Sequence, residues 1–219
     1  MAVWPRMGLL GRAVAYLAAA VLSIAPVAAT ASETSQAPPS AVMVLAKAGS
    51  GYAIGAGVVV GVSGSHVRVL TARHVVQSDD LRVALDGVLY PGRLARTFAP
   101  RDLALIDVVA PAGAMWAQPA RAGVLPEGGA ALAIWGEDAS GLELRPARLV
   151  AAAYVQPGFD GAYLAVDCTT CGFGDSGGGV FTSDGRLVGI YSGKFKTSDG
   201  TVVAIVAEPV DASFFATLP

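Results

Sequence analysis

From Ala41 onward the chain alternates between short apolar, β-branched runs and punctuation rich in glycine, serine and aspartate. "AVMVLAK", "YAIGAGVVVGV", "HVRVLTA" and "LRVAL" come first, followed by "LALIDVVA", "AALAIWG", "ARLVAAAYV", "AYLAVDC", "GRLVGIYSG" and "TVVAIVAEPV". Between them stand "SGS", "DG", "PEGG", "EDASG", "QPGFDG" and "TSDG", where glycine and aspartate admit the backbone angles of tight turns. Short strands at near-regular spacing, with almost no helical period, predict an all-β antiparallel barrel or sandwich. Two places depart from this. "ARHVVQ" predicts a single helical turn after a strand, and "VDASFFATL" predicts a short C-terminal helix with Asp211 as its N-cap. No internal repeat or heptad is visible.

The first residues read differently. Arg6 and Arg12 with no acids, the apolar run Ala13–Ala25, and the small-residue text "ATA" at 29–31 have the three parts of an export leader. We expect a signal peptide over 1–31, a polar linker over 32–40 and one domain over 41–219. The run is also long enough for an uncleaved membrane anchor, so membrane association is expected only if it is retained. Cleavage would take the net charge from −2 to −4 by removing two arginines. The product would be mildly acidic, and periplasmic or secreted.

Composition narrows the function. A hydrophobic fraction of 53% against 15% charged residues excludes a disordered chain. The low net charge, without blocks of one sign, points away from nucleic-acid binding. The two cysteines form the pair Cys168-Thr-Thr-Cys171. In a cytosolic βαβ setting this spacing suggests a redox site, and alone it is half of a four-ligand zinc site. In an oxidising compartment a local disulfide is expected, with a redox switch as the alternative. No acidic cluster resembles a calcium loop, and no metal or cofactor is expected.

The stretch "CGFGDSGGGVF", Cys171–Phe181, concentrates glycine around Ser176. Such a turn can aim the amides of Gly174 and Ser176 into one cavity, as an oxyanion hole requires. A serine hydroxyl needs a base to become nucleophilic, and the base needs an acid to hold its tautomer. The chain has two histidines. His66 opens a strand and is expected to face solvent or a turn. His74, in "VLTARHVV", stands where a strand ends. Asp102, in "PRDLALIDV", precedes an apolar strand and needs a partner, which an imidazole N–H or the neighbouring Arg101 would supply. Asp107 has the wrong parity for the same strand face and is the weaker candidate.

These motifs resemble those of the trypsin-like (chymotrypsin-fold) serine peptidases. "TARHVV" is similar to the family's histidine motif, "RDLALIDV" to its aspartate motif and "GDSGGGVF" to its serine motif, and the likeness covers roughly Ala41–Leu218. Short spacings place it in the compact bacterial branch near the HtrA group. The resemblance implies two six-stranded antiparallel barrels with the site in the cleft between them. It also implies His74 as general base, Asp102 as orienting acid, Ser176 as nucleophile, and the amides of Gly174 and Ser176 as oxyanion hole. The expected activity is that of an exported serine endopeptidase working through an acyl-enzyme. The alternative is an inactive fold used for peptide binding or sensing, with Arg73 or Phe173 blocking the site. By the same resemblance Thr170 lies at the base of the primary pocket and Ser192–Gly193 form the edge strand that pairs with substrate. Lys194 narrows the pocket or meets an acidic side chain. HtrA proteins carry a C-terminal PDZ domain and this sequence ends after its helix, so PDZ-type regulation is not expected. No "IVGG"-like segment follows the leader, so Asp175 needs a partner other than a freed N-terminus.

Overall fold

The computed structural model describes residues 40–111, 119–138, 141–157 and 159–218. The expected leader, and the linker apart from Ser40, lie outside the described residues. The first barrel comprises β1 (Ala41–Ala48), β2 (Gly51–Ser63), β3 (His66–Ala72), β4 (Leu81–Leu85), β5 (Val88–Thr97) and β6 (Leu103–Val109). It closes in the order β1-β2-β3-β6-β5-β4. The second comprises β7 (Ala131–Asp138), β8 (Gly141–Tyr154), β9 (Tyr163–Asp167), β10 (Gly179–Thr182), β11 (Leu187–Lys196) and β12 (Val202–Pro209). It closes as β10-β11-β12-β9-β8-β7. Closure pairs every strand on both sides over part of its length, while strand ends such as that of β11 run on beyond one partner.

The period-2 pattern explains each interior. Val42, Val44 and Ala46 of β1, Val67 and Val69 of β3, and Ala104, Ile106 and Val108 of β6 point into the first barrel. Leu132 and Ile134 of β7, Ala147 and Leu149 of β8, and Leu164 and Val166 of β9 fill the second. Residues of opposite parity form a third cluster: Leu70, Leu103 and Leu105 meet Trp135, Phe181, Leu187 and Ile190. Strand β6 is therefore buried on both faces, which is why its text, "LALI", is continuously apolar.

Two strands were absent from the apolar runs. Strand β5 is exposed along most of its length and carries Pro91 and Gly92, so it has no clean alternation. Strand β10 is four residues hidden behind the glycines of the Ser176 turn. The helical expectations hold. Arg73–Val75 form a 3₁₀ turn, and α1 (Ala212–Phe215) is capped by the Asp211 side chain, which accepts from the Phe214 amide. Phe214 packs into the third cluster, with its ring 5.1 Å from that of Phe98 and 4.8 Å from the Arg101 guanidinium. No helix among the described residues is long and apolar enough to cross a membrane.

The third cluster is what joins the barrels, so a cavity there should cost both. Leu105→Ala is expected to lose about 2–5 kcal/mol. The urea midpoint should fall with an unchanged slope, and a near-wild-type midpoint would refute the assignment.

Candidate active site

Strands β3 and β6 are neighbours, with Ala72 opposite Leu103. The residues just beyond that pair, the 3₁₀ turn carrying His74 and the loop carrying Asp102, therefore leave the first barrel side by side. The Arg73 amide donates to the Asp102 carbonyl at 3.1 Å. The His74 amide donates to Asp102 Oδ1 at 3.0 Å, and His74 Nδ1 lies 2.7 Å from Asp102 Oδ2. A carboxylate can only accept, so this contact places the imidazole proton on Nδ1 and leaves Nε2 with its lone pair free. Arg101, the alternative partner for Asp102, goes elsewhere: its Nε donates to Glu208 at 3.1 Å, and its terminal nitrogen donates to the Pro209 carbonyl.

The second barrel completes the setting of Asp102. Between Tyr191, opposite Ala207, and Gly193, opposite Val206, β11 carries one residue more than β12. That bulge turns the extra residue, Ser192, toward the first barrel, as bulges beside functional sites often re-aim a side chain. Its hydroxyl donates to Asp102 Oδ2 at 2.5 Å. The buried Glu208 of β12 accepts from the Asp102 amide at 2.8 Å. Burial pushes the Asp102 carboxyl upward, but the hydrogen bonds from His74 and Ser192 outweigh it and hold the group below its ordinary value.

Ser176 is brought to this group by a close backbone approach. Gly177 has φ +88°, and a Cβ there would stand 2.1 Å from the Ala56 carbonyl and 2.1 Å from Thr71 Oγ1. Only glycine fits, and the Ser176 carbonyl can then accept from the Ala56 amide at 2.8 Å. The Ser176 turn thus sits against β2 and the end of β3, from which the turn carrying His74 leaves. The imidazole side chain is 41% exposed and Ser176 half-buried, so both open to solvent. No hydrogen bond joins Ser176 Oγ to His74; sites without substrate often hold such contacts loose.

The turn before Ser176 is anchored from within. The Asp175 side chain is 1% exposed and lies with Oδ1 3.4 Å from Arg145 Nε of β8. Its Oδ2 accepts from the Gly172 amide at 2.6 Å. The room for it comes from Gly136, where a Cβ would stand 1.8 Å from Asp175 Oδ1. Arg145 is the partner that the sequence did not name for Asp175. The Asp175 amide turns back to the Gly172 carbonyl, while the amides of Gly174 and Ser176 donate to no acceptor among the described residues. Cys168 and Cys171 are joined in a buried disulfide that ends one residue before Gly172. Thr170 lies inside that ring and is exposed. Gly193 and Lys194 lie half-buried on β11 beyond Ser192, with Lys194 opposite Ile205.

His66 and Asp107 also meet, Nδ1 to Oδ2 at 3.1 Å, at the opposite end of the same strand pair from Ser176. Among the described residues, no group of His, Cys, Asp and Glu side chains is arranged to hold a metal ion. Glu208 and Arg145 were missed in the sequence, and Ser192, expected there to pair with substrate, was not foreseen as a donor to Asp102. Glu208 left a signal, a lone acid in the apolar run "TVVAIVAEPV", which has to find a buried partner. Ser192 left a weaker one, the loss of alternation at "IYSG". Arg145 left none.

The sequence and fold have known counterparts. The family described as trypsin-like peptidase domain matches residues 55–190. No curated protein matches the sequence. Among solved structures, the chain is similar to the HtrA-type protease AlgW with tripeptide, at 22% identity and a TM-score of 0.66. That match covers 78% of this chain and 56% of the AlgW chain. The active form of the Rv3671c protease from M. tuberculosis is 22% identical with a TM-score of 0.62, over 81% of this chain and 78% of that one. A serine endoprotease from Yersinia pestis is 23% identical with a TM-score of 0.62, over 78% of this chain and 58% of that one. The chain thus spans little more than half the length of the AlgW and Yersinia proteins, and at these identities the likeness is one of fold.

Two substitutions test the anchoring. A carboxylate held low in the folded state adds stability that is complete above its unfolded value and is lost as pH falls through its folded value. Ser192→Ala removes one of the donors holding Asp102 low. The acid limb of thermal stability, followed from about pH 2 to 5, should move to higher pH; an unmoved limb would contradict the arrangement. Arg145→Met strands the buried Asp175 carboxylate and should cost about 3–5 kcal/mol in urea unfolding. Adding Asp175→Asn should recover part of that loss.

Proposed function

Because the chain belongs to the trypsin-like peptidase family, we propose that it is an exported serine endopeptidase working through an acyl-enzyme. His74 is the general base, Asp102 the orienting acid and Ser176 the nucleophile. The observation that supports this reading is the 2.7 Å contact from His74 Nδ1 to Asp102 Oδ2, which leaves Nε2 as the nitrogen to take the Ser176 proton.

The steps follow from those positions. Ser176 Oγ attacks the carbonyl carbon of a bound peptide as its proton passes to His74 Nε2. The Asp102 carboxylate stabilises the imidazolium that forms. The oxyanion of the tetrahedral intermediate accepts from the Gly174 and Ser176 amides, each of the kind whose loss costs about 10²–10³ in turnover. Collapse expels the amine, which takes its proton from His74, and leaves the acyl group on Ser176. Water then repeats the sequence, giving its proton to His74 and releasing the carboxylic product. The substrate is a protein or peptide whose backbone pairs along Ser192–Lys194, with Thr170 and Lys194 bordering the primary side-chain pocket. AlgW, of similar fold, has been seen with a tripeptide. The leader-like N-terminus and the Cys168–Cys171 disulfide support export to an oxidising compartment. Arg73 and Phe173, the side chains that would block the site in a binding module, are both exposed.

A fluorophosphonate probe reports an activated serine directly. The protein from Ser32 onward is expected to be labelled, and Ser176→Ala and His74→Ala are expected to lose labelling and peptide hydrolysis while keeping their circular dichroism. Folded but unlabelled wild type would overturn the reading.

A further inference from the structure

Strand β11 has partners on both sides only as far as Tyr191. Gly179 pairs with Ile190, and the Tyr191 amide donates to the Gly178 carbonyl; beyond that no strand pairs with β11 on the β10 side among the described residues. From Gly193 to Lys196 the strand is paired to β12 alone. An unpaired stretch of strand beside a candidate nucleophile is a place for an extended peptide to add itself. Every pairing in both barrels is antiparallel, the better-bonded arrangement. A peptide added the same way runs against β11, so the residues that precede its scissile bond lie toward Phe195.

Phe195 is the hub of an aromatic cluster. Its ring lies 4.5 Å from that of Phe159, 6.3 Å from Tyr154 and 5.3 Å, edge-on, from Tyr163. Tyr163 is buried, whereas Phe159 is 53% exposed and Phe195 and Tyr154 are half-buried. Phe195 shares a strand face with Gly193, two residues back, and a Cβ at Gly193 would meet nothing within 4 Å. The free edge therefore carries an open floor at Gly193 and an aromatic wall at Phe195, about 10 Å from Ser192 at the strand rise.

We propose that Phe195, Phe159 and Tyr154 form a subsite for a large apolar or aromatic side chain of the substrate, placed three residues before the one that pairs at Ser192. This rests on the peptidase reading above for its substrate and adds to it a preferred sequence. With Ser192 opposite the residue at the scissile bond, the residue opposite Phe195 is the fourth from the cut on the amino side. Alternation turns its side chain to the same face as the aromatic rings. Aromatic rings there offer offset or edge-on contact to a substrate ring, and burying such a side chain favours binding strongly enough to rank substrates.

The test separates this subsite from catalysis by using Ser176→Ala, which binds without reacting. Fluorescein-labelled tetrapeptide amides of alanine, differing only in Phe, Leu, Gly or Glu at the first position, are titrated by anisotropy. Phe and Leu are expected to bind about 10- to 100-fold more tightly than Gly, with Glu weakest. Phe159→Ala, at an exposed position that leaves the fold intact, should erase most of that preference; Phe195→Ala should do the same where it folds. Equal affinities for Phe and Gly, or a preference unchanged in both variants, would overturn the subsite whatever the activity. Failed fluorophosphonate labelling of the wild type with the Phe preference intact would instead overturn catalysis alone.

Discussion

The site depends on one carboxylate, Asp102, being held from two barrels at once. Its oxygens accept from the His74 amide, the His74 ring and the Ser192 hydroxyl, and its own amide donates to Glu208. A partly buried carboxylate left with fewer donors would rise in pKa and lose its hold on the imidazole. Here the first barrel supplies the acid and the ring, and the second supplies the donor and acceptor that fix them. Arg101 reinforces the tie by bridging to Glu208 while stacking on Phe214 of the terminal helix.

The same economy governs Ser176. Its turn can reach the first barrel because Gly177 has no Cβ to collide with Ala56 and Thr71, and it holds its shape because Asp175 is neutralised by Arg145 in the space left by Gly136. Arg145 holds the turn from inside the same barrel, so the anchoring charge is part of the fold. Beneath both contacts lies the apolar cluster of Leu70, Leu105, Trp135 and Phe181, which gives the barrels a common floor.

Much of this was legible in the text, for identifiable reasons. Strands with one face inside a barrel announce themselves by alternation, the Asp211 cap by its place before an apolar stripe, and His74, Asp102 and Ser176 by motif context. Strand β5 was lost because little of it is buried, and β10 because glycine dominates its approach. The partners that set the site, Ser192, Glu208 and Arg145, act across strands far apart in sequence. Pairing register decides which side chains meet there, and a bulge such as the one at Ser192 shifts that register by a single residue. Asp107 and His66 show the converse: their pairing follows from lying on adjacent strands, though each was set aside as a site residue separately.

The disulfide between Cys168 and Cys171 spans a sequence separation of only 3. Closing so short a ring removes little freedom from the unfolded chain, about 2 kcal/mol on a loop-entropy account. That is less than a long-range bridge would contribute. What the bond restrains is the stretch leading into Gly172, whose amide holds Asp175 and through it the two free amides beside Ser176. The bond therefore acts locally, on the turn before Ser176, more than on the barrels.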